Sequence, residues 1–156
     1  MPLRRIICMA GLTVCVVLAG CGLRIPNDPD GTLDRIAETH VLRAGASPAG
    51  SALIVDGEEV SGPVVTLIEG FARRHDADVD WTVASEEVLA AGLRSGQMDL
   101  AVGGMSEDTP WADRVAVTRG YSGLAGIQGR LVVLLPPGEN ALQAAVERYL
   151  DEQTAE

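Results

Sequence analysis

The feature that most constrains this chain is a repeated switch of hydrophobic period between Val41 and Leu150. Val79 to Val83 alternates apolar and polar residues as a half-buried strand does, whereas Val64, Leu67, Ile68 and Phe71 recur at the spacing of one helix face. Thr32 is placed to cap a short helix through Glu38, with Leu33 and Ile36 on one side. Val41 to Ala46 then reads as a strand, and Ser47 to Gly62 as a loop or irregular hairpin around Ala52 to Val55. The helix through Phe71 stops at Arg73-Arg74-His75, where the arginines suit the negative end of its dipole. Ser85 offers the next cap, followed by Glu86 and Glu87, an apolar face of Val88, Leu89 and Leu93, and a stop at Gly96. Asp99 to Gly104, Val115 to Thr118 and Leu131 to Leu135 read as strands, and Asn140 to Leu150 as an amphipathic helix. Such alternation predicts an α/β fold, a mainly parallel sheet flanked by helices. Ligands in such sheets sit at the carboxyl ends of strands, here the loops after Ala46 and Val102.

Upstream, Arg4 and Arg5 precede the apolar run Ile6 to Val17 and then Leu18-Ala19-Gly20-Cys21. A positive segment, a short apolar run and small residues before a cysteine form an export signal. Leu-Ala-Gly-Cys resembles the lipobox, which implies cleavage before Cys21 and lipidation of its thiol. The resulting division is a signal peptide over 1–20, a lipidated tether over 21–31, a folded lobe over 32–152 and a tail over 153–156. The expected location is the cell envelope, anchored to the outer face of the membrane through the Cys21 lipid. Cys8 and Cys15 leave with the signal, so no disulfide is available and the fold rests on an ordinary core. Loss of Arg4 and Arg5 takes the net charge from −10 to −12. Phosphate backbones repel so acidic a chain, which argues against nucleic acid as a partner.

Enzyme signatures are missing from the sequence: it has no nucleophile elbow, P-loop or dinucleotide fingerprint. The expectation is a non-enzyme without cofactor. Asp76, Asp78, Asp80 and Glu87 imitate a calcium loop, but Trp81 stands where the sharp turn needs glycine, so no metal site is predicted. His40 and His75 each fall at the end of an element, as solvated helix-terminal histidines do.

From Thr32 to Tyr121 the chain resembles the first lobe of family 3 extracellular solute-binding proteins, which serve amino-acid ABC importers. The resemblance rests on Thr32-Leu33-Asp34-Arg35-Ile36, Val41-Leu42-Arg43-Ala44-Gly45, the helix Leu67 to Arg74 and, above all, Ser95-Gly96-Gln97-Met98-Asp99-Leu100-Ala101-Val102-Gly103-Gly104-Met105-Ser106. Leu131 to Leu150 resembles the family's return to that lobe. Two-lobed members insert their second lobe between the positions of Tyr121 and Leu131, where this chain has only Ser122 to Arg130. That length allows a turn or short hairpin. The resemblance thus implies one lobe of a type II periplasmic-binding fold, with an ABC permease as partner.

The family's ligand positions are altered. Trp111 matches the arginine that grips the ligand carboxylate, Ser47 matches an acidic residue, Ala52 lies near the usual aromatic, and Thr66 stands for an aspartate. The positions expected to contact a small-molecule ligand are Ser47, Gly103, Gly104, Met105, Ser106 and Trp111, with Ser106 as hydroxyl partner and Trp111 as stacking surface. Trp111 equally suits a cover over apolar surface left bare by the missing lobe. A lone lobe cannot close over its ligand, so weak affinity is expected. The other reading is an interaction or regulatory lobe that docks a membrane partner or forms a homodimer.

Overall fold

A computed structural model describes residues 28–154 of the chain. The expected signal peptide, Cys21 and most of the expected tether lie outside the described residues. The elements run in the order α1 (Thr32–Thr39), β1 (Val41–Ala46), β2 (Ile54–Asp56), β3 (Glu59–Ser61), α2 (Pro63–Arg74), β4 (Asp78–Val83), α3 (Glu86–Arg94), β5 (Leu100–Val102), β6 (Ala116–Val117), β7 (Leu134–Leu135) and α4 (Asn140–Thr154). Among the described residues no helix is long and apolar enough to cross a membrane.

Five strands form one sheet in the order β4-β1-β5-β7-β6. β1 pairs in parallel with both β4 and β5, and β7 runs antiparallel to β5 and β6. Four strands therefore share one direction and β7 alone opposes them, which meets the expectation of a mainly parallel sheet. The two-residue period divides the core between the two faces. Leu42, Ala44 and Ala46 of β1 join Ile36, Ile68, Phe71, Leu142, Val146 and Leu150 in the larger cluster, under α1, α2 and α4. Ala101 and Leu134 face the smaller one, with Leu89, Ala90 and Leu93 of α3, Met98 and Met105. Each fully buried Leu, Ile or Phe contributes about 1.5–3 kcal/mol of transfer free energy, which suits a fold without a disulfide.

The hairpin is present as β2 and β3, paired Ile54 to Ser61 and Val55 to Val60. Several boundaries differ from the sequence expectation. Gly31, not Thr32, holds the N-cap of α1, in a left-handed conformation with φ 58°. Thr32 is drawn into the helix and buried because another group serves as cap: the Glu139 carboxylate accepts the Asp30 and Thr32 amides at 2.9 and 3.0 Å. Ser85 does stand at the N-cap of α3, but its side chain makes no capping hydrogen bond. Leu131 pairs only as an isolated bridge with Tyr121, so regular β7 shortens to Leu134–Leu135. α4 continues past Leu150 to Thr154, where Arg119 pairs with Asp151 and Arg74 with Glu152. His40 and His75 cap the C-terminal ends of α1 and α2.

Candidate functional site

The carboxyl ends of β1 and β5 lie side by side because Ala46 pairs with Val102. One further bond, from the Ser47 amide to the Val102 carbonyl at 3.0 Å, brings the two following loops together. Gly103 makes that approach possible. A Cβ there would stand 1.9 Å from the Ser47 hydroxyl and 2.8 Å from its carbonyl oxygen, far inside van der Waals contact. The hydroxyl is buried and donates to the Met105 sulfur at 3.5 Å, and Met105 itself is seated in the smaller core cluster. Ser47, Gly103, Gly104, Met105 and Ser106 are thus brought together, but they face different ways. Gly104 and Ser106 are exposed, whereas Ser47 and Met105 direct their side chains inward.

Trp111 sits in the loop that follows, half-buried against the smaller cluster, with the Arg114 guanidinium 6.0 Å from its ring centroid. It covers apolar core, and the cation nearest its ring is a neighbour in the same loop. Its indole Nε1 is buried with no hydrogen-bond partner among the described residues, as is the hydroxyl of Thr109. Two unpartnered polar atoms in one loop are costly, because each gives up water without replacement. Thr109 lies two residues before Trp111 in sequence, but burial of its hydroxyl depends on tertiary packing and has no local pattern.

The same loop is fixed to the crossing at Tyr121 and Leu131. Glu107 accepts the Gly120 amide at 2.8 Å and pairs with Arg130 at 2.6 Å. The backbone donor first and the Arg130 guanidinium second hold the Glu107 carboxyl below the usual range. Ser122 to Arg130, the short connection, packs Leu124 and Ile127 back onto the larger cluster. Two grooves lie away from these loops, and neither is lined by any of the six expected ligand residues. One of about 440 Å³ runs between α2, residues 123–127 and the end of α4, and one of about 490 Å³ opens beside Arg35, Arg43 and Arg94.

The backbone as a whole superposes on domain 1 of ArgBP from T. maritima, a Phe57Trp variant in its arginine-bound form. The TM-score is 0.68 at 20% identity, over 80% of this chain and 99% of that one. The fold is that of one solute-binding lobe. An ancestral cationic amino acid solute-binding protein matches over 59% of this chain and 41% of its own, with a TM-score of 0.51 at 22% identity. An ancestral cyclohexadienyl dehydratase matches over 58% and 38%, with a TM-score of 0.51 at 20% identity. Neither a protein-family model nor a curated protein sequence matches the chain. The chain therefore has the fold of a single lobe that spans nearly the whole of an isolated binding domain, and its similar structures are mainly binding proteins.

Proposed function

We propose that the chain is a lipid-anchored, extracytoplasmic solute-binding lobe of amino-acid type, related to or part of an ABC importer, with no catalytic activity. The observation that carries this reading is its match to an isolated domain that is arginine-bound on its own. A second lobe is not indispensable for holding a solute on this fold. The Cys21 lipid would keep the lobe beside a permease, which offsets weak affinity through local concentration. Gly104, Ser106 and Trp111 present the exposed backbone, hydroxyl and ring of the site, while Ser47, Gly103 and Met105 shape it from beneath. With Trp111 in the place of a carboxylate-gripping arginine, a ligand is held by stacking and neutral hydrogen bonds.

The test is a thermal-unfolding screen of the chain from Gly22 onward against amino acids, polyamines, sugars and short peptides. A ligand at about 100 times its Kd adds about 2.7 kcal/mol to stability. A shift that vanishes in Trp111→Ala supports the site. A folded lobe that responds to nothing removes this reading and favours the second one, a docking or regulatory lobe that binds a membrane partner or a second copy. The inward-turned side chains of Ser47 and Met105 favour that alternative, and sedimentation at increasing concentration tests the dimer.

A further inference from the structure

At the opposite end of the sheet, ionic pairing differs from that of most arginines among the described residues, of which Arg148 on α4 is the other without an ion pair. Arg73, Arg74, Arg114, Arg119 and Arg130 each face a carboxylate of their own: Glu69, Glu152, Asp113, Asp151 and Glu107. Arg35 and Arg43 instead share one, the fully buried Asp99 at the entrance to β5. Asp99 is saturated: it accepts the Arg43 amide at 2.8 Å, the Arg43 Nε at 3.2 Å and Nη2 at 2.6 Å, and lies 2.5 Å from Arg35 Nη2. Arg94, at the end of α3, has no ion-pair partner among the described residues. All three arginines line the groove of about 490 Å³, with Thr32, Ser95, Gly96, Met98 and Pro136. Asp30 is the one acidic residue on its wall. Asp80 stands opposite Arg43 in the β1–β4 register, yet no ion pair joins them among the described residues.

We propose that this groove is an oxyanion site for a phosphate group, separate from the solute site and independent of that reading. Arg43 is held by its Nε and Nη2 edge against Asp99, which leaves Nη1 free on a guanidinium that cannot swing away. A pre-positioned guanidinium loses little entropy when it forms further hydrogen bonds, and planar forks suit phosphate oxygens. Arg94 supplies the uncompensated charge. In a chain of net charge −10, a local excess of guanidinium is the feature that would draw an anion to this spot rather than elsewhere. The phosphate could belong to a free solute or to a lipid headgroup, and the two differ in esterification.

The experiment is an NMR titration of the isotope-labelled full chain in neutral-detergent micelles. Inorganic phosphate is one ligand and glycerophosphoglycerol, the soluble diester of an acidic headgroup, is the other. The expected result is saturable movement of the Arg43 and Arg94 Nε–H signals and the Gly96 amide, with Ser106 and the Trp111 indole unmoved. Arg94→Gln should weaken the apparent Kd about tenfold, as loss of a charge-assisted contact does, with the Asp99 cluster left intact. Arg148→Gln, which removes an arginine of α4 away from the groove, should change nothing. Binding of phosphate alone assigns free phosphate-bearing solutes, and binding of the diester as well assigns headgroups. Absence of saturation by either ligand at about 10 mM overturns the site, and so does equal weakening by Arg94→Gln and Arg148→Gln.

Discussion

The two ends of the sheet solve opposite problems with polar groups. At the amino end, Asp99 is stripped of water and accepts hydrogen bonds from the Arg43 guanidinium and amide, while Arg35 Nη2 meets it as an ion pair only. At the carboxyl end, glycine lets two loops touch, and Thr109 and Trp111 keep buried polar atoms with no partner. The first arrangement neutralises its buried carboxylate with charge from two sides. The second leaves two buried groups without a partner among the described residues.

Asp99→Asn offers the severest way to break the contrast, because it leaves Arg35 and Arg43 facing each other without their shared carboxylate. Removal of one partner from a buried ionic cluster costs about 3–5 kcal/mol, to be read from the midpoint of urea unfolding. Gly103→Ala attacks the other end. The new methyl collides with Ser47, and overpacking of this kind costs about 1–3 kcal/mol. Because the Ser47 carbonyl also obstructs it, the double variant with Ser47→Ala should recover only part of the loss. Trp111→Phe sharpens the comparison: it keeps an apolar ring and deletes an N–H that bonds to nothing, so stability should change by less than about 1 kcal/mol. A loss well beyond that would mean the indole nitrogen has a partner after all.

The smallest effect concerns Asp28, whose carboxyl is pushed up from 3.8 to about 6, first by burial and then by the neighbouring Glu139. Burial acts to raise Glu139 too, but hydrogen bonds from Asp28 and from the Asp30 and Thr32 backbone hold it low. Asp30 and Asp34 add to the negative field around Asp28. The folded segment binds a proton between those two pH values that the unfolded one releases, so its stability falls as pH rises through that window and is level above it. Hydrogen exchange at the Asp30 and Thr32 amides, corrected for intrinsic rates, should slow as pH falls from 7 to 5. Glu139→Gln should flatten that dependence.

Elements governed by local periodicity were legible in the sequence. The amphipathic runs of α2 and α3, the alternation of β4 and the motif entering β5 each encode their own conformation, and together they imply the doubly covered sheet. What escaped depends on distant partners. Glu139 displaces Thr32 as the cap of α1 from a position more than a hundred residues downstream. Leu131 reads as strand from its apolar neighbours, but a single opposing residue, Tyr121, is all it pairs with. At the candidate site, the loops after Ala46 and Val102 do lie side by side, but sequence could not assign direction, because a serine pointing at a methionine sulfur and one pointing at solvent look alike in a string of letters.

The bridge between Tyr121 and Leu131 has a consequence for architecture. Its reciprocal hydrogen bonds, at 2.8 and 2.9 Å, close the circuit of the lobe before the chain enters Ser122 to Arg130. Whatever occupies that interval is electrically and mechanically a plug in a socket. Since the entropy of closing a loop grows only slowly with its length, a cargo domain whose own ends lie close together can be spliced there and the lobe will still wire itself the same way. The same junction is the natural port for adding a second lobe, whether by evolution or by an engineer who wants to couple this lobe to a reporter.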